Sequence, residues 1–339
     1  MLSPRTALVA ALTCLVAAVP VAAGAQEPPP RTDPPVAAPL AERVLAISVD
    51  GLNPEAIKRL GRSGAPTFHR LIAESAGTLN ARSEYELNIT LPSHTSMVTS
   101  RRIDQRHGGH GVTWNVDLPN TTVQQAAGGP VSSVFNVVHD DGGATALYST
   151  KSKFTLFQRS WPDAVDSVTI DENQARLVRQ ARTDLLTTDR EFTFLHVSLP
   201  DRAGHASGGM SPAYLDAVRK TDRHLRTVLR TISQDPVLSA ETVVILTADH
   251  GFQRGRRDHS GKVYANYRIP FFVWGSAVPH ADLYKLNPDY RNPGTSRPAY
   301  GAKRQPVRNG DLGNLALDLL GLTPIPGSLL DADFSLDVQ

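Results

Sequence analysis

A chain of 339 residues, 40% of them hydrophobic, is long enough to bury one large core and does not require a second. Its formal net charge of +2 removes any electrostatic case for a nucleic-acid-binding or membrane-binding surface. The single cysteine, Cys14, lies in the N-terminal segment, so a chain that has lost that segment has no disulfide, thiolate metal site or cysteine nucleophile.

Arg5, an apolar stretch over 7–21 and Ala23-Gly24-Ala25 have the layout of a secretory signal. Residues 1–25 are therefore expected to be cleaved and the protein exported, to the periplasm or the medium. Thr13, Cys14 and Pro20 interrupt the stretch, which is short of the ~20 residues a bilayer requires, so no membrane span is expected after its removal. Residues 26–40 hold six prolines, the composition of an extended linker, and a single catalytic domain is expected over 41–339.

The apolar run over 44–49 reads as a buried strand closed by Asp50. Phe68, Leu71 and Ile72 have helical spacing over 66–75, and Pro92 opens a helix toward Thr99. A long loop over 115–130 precedes a helix over 131–139 and a strand over 144–149. Amphipathic helices over 173–186 and 212–232 are each followed by a strand, at 192–199 and 242–247. A buried strand over 269–274, a second long loop over 279–305 and a helix over 311–320 stopped by Gly321 complete the chain. This alternation predicts an α/β fold, a mostly parallel central sheet with helices on both faces, whose ligands gather at strand ends.

Donor side chains fall at those ends. Asp50 closes one strand, Asp249 and His250 close another, Asp201 and His205 follow a third, and His259 lies on a loop that can return to the same edge. Singly, each has an ordinary alternative: an Asp that caps a turn or helix, a solvated loop His. Together, Asp and His without thiols suit zinc, with manganese or iron tolerated, and point to a two-metal hydrolase. Gly204 is expected to let the backbone turn tightly between Asp201 and His205, and Asp258 to orient a ligand. Thr90 lies beside a helix start whose free N–H groups can hold a phosphate oxygen; an N-cap is the plainer alternative. Ser93 and Thr95 are rival nucleophiles, His196 is a core or second-layer residue, and His107 and His110 are read as lining the cleft.

The ordered segments Asp50-Gly51, 90–99, 201–205, 247–251, His259-Ser260 and 269–275 resemble the alkaline phosphatase superfamily, and within it the type I phosphodiesterase and nucleotide pyrophosphatase branch. The resemblance spans most of the chain beyond the leader and implies an alkaline phosphatase-like fold. It implies one zinc among Asp50, Thr90, Asp249 and His250, and a second among Asp201, His205 and His259. Thr90 would attack phosphorus in line and form a phospho-threonine that water then hydrolyses. Asn115, in a segment similar to the family's, would donate to a phosphate oxygen, with a turn-forming Asn as the alternative. Lys151 and Lys153 fall roughly where sulfatase relatives present a substrate-binding lysine; a solvated loop lysine is the alternative.

The implied partner is a small-molecule phosphate ester. Trp114, Phe154 and Trp161 suit the second substituent of a diester, whereas Lys151 and Lys153 suit a monoester dianion. The branch's extended nucleotide-binding insertions have no counterpart, so a nucleotide preference does not follow. A phosphomonoesterase or a sulfatase of the same fold is the enzymatic alternative, the sulfatase disfavoured because its formylglycine comes from Cys or Ser. A metal-stabilised anion-binding protein is the non-enzymatic one.

Overall fold

The computed structural model describes residues 39–339; the expected signal segment over 1–25 and all but the last two residues of the expected linker over 26–40 lie outside the described residues. Eight strands, β1 (Arg43–Val49), β2 (Ala76–Arg82), β3 (Thr145–Ser149), β4 (Ser167–Ile170), β5 (Phe192–Val197), β6 (Thr242–Thr247), β7 (Arg268–Trp274) and β8 (Ala281–Asp282), form one sheet in the order β4-β3-β5-β1-β6-β7-β2-β8. β4, β3, β5, β1 and β6 run parallel, and β8 runs parallel to β2, while β7 is antiparallel to both its neighbours. Every residue of β3, β5 and β6 is buried, as expected of strands covered on both faces.

Helices Pro54–Gly64, Pro66–Glu74, Gln174–Thr187 and Pro212–Gln234 pack together as one group, and Thr90–Thr99, Val134–Asp140 and Leu312–Leu319 as another. The antiparallel entry of β7 has a consequence for the site. Because β6 and β7 are neighbours of opposite direction, the segment joining them begins and ends at one edge of the sheet, and His259 therefore stays near Asp249 and His250.

Several segments differ from the sequence expectation. The two stretches read as loops contain short elements: Val123–Ala127, a helix opened by a Thr122/Gln125 capping box, and β8 with the helix Leu283–Leu286. β2 and β4 were not expected, because Gly77 and Asn80 weaken the strand pattern of one and the other is a short, half-buried strand at the sheet edge. Asp201 and His205 lie not in a turn but one helical turn apart within the helix Leu199–Ser207, where Pro200 is tolerated in the first turn.

Gly204 thus has a packing role rather than a turning one: a Cβ added there would sit 2.5 Å from the buried Phe252 ring. Gly204→Ala should destabilise the protein by about 1–3 kcal/mol through overpacking, read as a lower urea midpoint with unchanged slope.

Candidate active site

β1, β5 and β6 are adjacent and parallel, so the side chains following them emerge together. Gly51 makes the closest junction. Its φ is +73°, and a Cβ there would lie 2.9 Å from the Asp201 Cα, so only glycine lets the end of β1 pass the Asp201 helix. The Asp201 N–H donates to the Asp50 carbonyl at 3.1 Å. Asp249 Oδ1 accepts from the backbone N–H groups of Gly51 (3.0 Å) and His250 (2.9 Å), which aims Oδ2 the other way.

His205, His250 and His259 share one arrangement. Each donates from Nδ1 to a backbone carbonyl, of Arg257 (2.8 Å), Gly251 (3.0 Å) and Asn88 (3.0 Å) respectively. A carbonyl only accepts, so the proton sits on Nδ1 and the Nε2 lone pair is free to bind a cation. His259 Nε2 and His205 Nε2 face each other at 3.2 Å, and His250 Nε2 lies 3.2 Å from Asp249 Oδ2 and 3.5 Å from Asp50 Oδ1. Burial, then the neighbouring His259, pushes the His250 imidazole down to about 3, and burial also lowers His259, so both stay neutral as metal ligation requires.

The carboxylates supply the opposite charge. Asp50 Oδ1, Asp201 Oδ1, Asp249 Oδ2 and His250 Nε2 are buried atoms without a hydrogen-bond partner. Such orphans are costly, about 1–3 kcal/mol each and more when charged, unless a cation satisfies them. Asp50, Asp249 and His250 bring donor atoms within 4.8 Å of one another, and so do Asp201, His250 and His259. The residues fit two metal ions. They depart from the implied division in that His250 reaches both groups.

Lys151, read above as a substrate-binding lysine with a solvated loop lysine as the alternative, lies between the groups. Its Nζ donates to Asp50 Oδ2 (2.6 Å) and Asp201 Oδ2 (2.7 Å) and sits 3.4 Å from Thr90 Oγ1. Burial opposes its charge, but Asp50, Asp201 and Asp249 raise its proton affinity well above the ordinary lysine value. Burial likewise opposes ionisation of Asp50, yet Lys151 and His196 hold it well below the carboxylate range. For Asp249, burial followed by the Asp50 charge outweighs the opposing charge of Lys151 and pushes it well up.

Thr90 is the first residue of a fully buried helix whose N-cap is Ile89, so it is not itself the cap. Thr95 Oγ bonds to the Leu91 carbonyl at 2.8 Å, the competing use that removes it as a nucleophile, while Ser93 Oγ is buried without a partner. Asn115 joins the helix start through Oδ1, which accepts the Leu91 N–H at 2.9 Å, and Lys153 Nζ reaches the same Oδ1 at 3.0 Å.

Several sequence expectations change place. Asp258 bonds to Ser260 Oγ at 2.8 Å on the surface; the group that orients His259 is Asn88, whose Nδ2 also donates to the His259 carbonyl at 3.0 Å. His110 is fully buried against Ser96 Oγ (3.0 Å), and His107 is exposed beside Asp104, in the lining of a pocket with Tyr290, Tyr300 and Asp331 that does not include the Asp50, Asp201 and Asp249 cluster. Phe154 and Trp161 belong to the core. His196, read as a core or second-layer residue, is both: it is buried, and its Nε2 lies 2.9 Å from Asp50 Oδ2 while Nδ1 lies 2.9 Å from Ser149 Oγ. Its signal in the sequence was a lone ionisable residue inside the apolar strand β5.

Metal-replete protein is expected to carry about two transition-metal ions per chain, and Asp201→Ala and Asp249→Ala should each lower that content by about one. Elemental analysis of protein purified without chelator measures both, and less than one equivalent in the unmodified protein contradicts a two-ion site.

The sequence and the fold have known counterparts. GPI ethanolamine phosphate transferase 1 of Neurospora crassa is 31% identical over 101 residues, 30% of this chain but only 10% of that relative's length. The murine ectonucleotide pyrophosphatase/phosphodiesterase 5, solved as an inactive variant in complex with AMP, superposes with a TM-score of 0.61 at 13% identity, covering 85% of this chain and 96% of that one. A putative sulfatase from Bacteroides thetaiotaomicron has a TM-score of 0.61 at 13% identity over 87% of this chain and 74% of its own. At such identities the two structures speak for the fold, which is alkaline phosphatase-like. Residues 44–304 match the family described as type I phosphodiesterase / nucleotide pyrophosphatase, and the chain belongs to that family.

Proposed function

We propose that this protein hydrolyses phosphoric esters, diesters in preference to monoesters, through a nucleophilic Thr90 beside two zinc ions, with manganese or iron as the alternatives. One observation carries the reading: four orphaned donor atoms, on Asp50, Asp201, Asp249 and His250, converge in a buried cluster whose lysine reaches Thr90 Oγ1. Asp50, Thr90, Asp249 and His250 would hold one ion, and Asp201, His205 and His259 the other. Bound there, two cations would lower the pKa of the Thr90 hydroxyl, neutralise the phosphoryl oxygens and favour ionisation of a water.

The chain's own groups do the rest. Thr90 Oγ forms a bond to phosphorus as the ester oxygen leaves; water then breaks the bond between phosphorus and Thr90 and restores the hydroxyl, so that one water is added across the ester overall. In the first turn of the buried Thr90 helix the Leu91 N–H is held by Asn115, the Ser93 N–H by the Ile89 carbonyl, and Pro92 has none, so the Thr90 N–H is the backbone donor that would favour the anionic oxygen. Asn115 Nδ2 would donate to a phosphoryl oxygen. The Lys151 ammonium, fixed at 2.6 Å from Asp50 and 3.4 Å from Thr90 Oγ1, would face the same phosphoryl group.

With Phe154 and Trp161 in the core, the half-buried Trp114 beside Asn115 remains as the apolar surface for a diester's second substituent. A monoesterase is the second reading, favoured by the position of Lys151, whose charge suits a dianion. Sulfatase action is disfavoured because Thr90 cannot supply formylglycine. The working compartment read from residues 1–25 is the periplasm or the medium, and 41–339 would act as one catalytic domain.

Thr90→Ala should lower turnover of bis-p-nitrophenyl phosphate on the order of 10³-fold or more, ~4 kcal/mol of transition-state stabilisation, with metal content unchanged. Retained turnover rules Thr90 out. In a side-by-side comparison, bis-p-nitrophenyl phosphate should be turned over faster than p-nitrophenyl phosphate, and p-nitrophenyl sulfate slowest; reversal of the first pair selects the monoesterase.

A further inference from the structure

Lys153 lies two residues from Lys151 but does not join the carboxylate cluster. Its Nζ donates to the Asn115 backbone carbonyl at 2.6 Å and to Asn115 Oδ1 at 3.0 Å. The same Oδ1 accepts the Leu91 N–H at 2.9 Å. An ammonium and a peptide N–H can only donate, so two donors on one face of the amide identify that face as oxygen and direct Nδ2 away from them.

The two donors come from different parts of the chain. Leu91 follows Thr90 in the first turn of its helix, so its bond ties the amide to the nucleophile's own backbone. Lys153 comes from the 3-10 turn Ser152–Phe154 after β3. That turn is anchored by Phe154, fully buried with ring centroids 4.8 Å from His94 and 4.3 Å from His196. Lys153 therefore reaches from a fixed origin, and its stem is half-buried. Without it, the Asn115 side chain would be held by one hydrogen bond, and its terminal torsion, broad and roughly two-fold, would leave the amide free to turn.

We propose that Lys153 is a positioning residue that locks the Asn115 amide so that Nδ2 faces a phosphoryl group at Thr90, and that it does not bind the substrate itself. This rests on the roles proposed above for Thr90 and Asn115. It separates the two lysines: Lys151 faces the reacting group, and Lys153 acts through Asn115.

A double-mutant cycle on bis-p-nitrophenyl phosphate hydrolysis tests this, with metal content and thermal midpoint measured on every variant. Lys153→Met should lower kcat about tenfold and change KM less than about twofold, the effect of losing one charge-assisted hydrogen bond that matters in the transition state. Lys153→Arg, which keeps a donor, should recover part of the loss. In an Asn115→Ala background, Lys153→Met should cost less than about a further twofold. Additive losses in the cycle, or a rise in KM alone, would overturn the proposal, since either means that Lys153 acts on the substrate independently of Asn115. Should Lys153→Met fail to fold, Lys153→Ala, which also removes the donor, takes its place in the cycle with the same criteria. If Asn115→Ala leaves turnover unchanged while Thr90→Ala abolishes it, the role of Asn115 fails and takes this proposal with it. If neither matters, the fault lies in the site reading itself.

Discussion

Asp50, Asp201 and Asp249 are each at most 2% exposed and share one buried cluster. Two like charges 4 Å apart repel by about 4 kcal/mol at an effective dielectric of 20, so three such carboxylates cannot all stay ionised without positive charge among them. Lys151 meets part of that need, and it leaves Asp50 Oδ1, Asp201 Oδ1 and Asp249 Oδ2 unsatisfied. The raised proton affinity of Asp249 is the residue of that imbalance. A site of this kind links folding stability to cation binding, because whatever neutralises the cluster also stabilises the fold around it.

The surrounding structure keeps the cluster from relaxing. Parallel pairing of β1 with β5 and β6 sets three strand ends side by side, and Gly51 lets the Asp201 helix approach the end of β1. Backbone N–H groups hold one oxygen of Asp249, and backbone carbonyls hold Nδ1 of all three histidines. The donor atoms left over all point inward. This is pre-organisation achieved with main-chain partners, which cannot be lost by substitution of a side chain. The Thr90 helix is buried on every side, so its sequence carries no amphipathic pattern, and in its first turn the Leu91 N–H is held by Asn115 Oδ1.

Much of this was legible beforehand, and the gaps have physical causes. β1, β5, β6 and β7 announced themselves as continuous apolar runs, because strands covered on both faces need no polar side. β2 was hidden by Gly77, where a Cβ would lie 2.6 Å from the Phe272 ring, so packing between strands and not propensity placed that residue. The Asp201 helix was hidden by Pro200 and Gly204, both poor helix residues in isolation; the first is tolerated in an opening turn and the second is required by Phe252. Phe154 was read, with Trp114 and Trp161, as suiting the second substituent of a diester, yet its ring packs on His94 and His196.

The sequence by itself determined the family and the set of donor residues. Asp and His donors at three strand ends, a Thr ahead of a helix and the absence of thiols follow from residue identity and local periodicity, and those survive any rearrangement of distant segments. Only the tertiary structure decided which way each group faces: Lys151 between Asp50 and Asp201, Asn88 behind His259, and Lys153 on the oxygen side of Asn115. Those partners lie from 38 to 171 residues apart in the chain. A hydrogen bond is decided by distance and angle in space, and at such separations neither quantity is written into the pattern of the sequence.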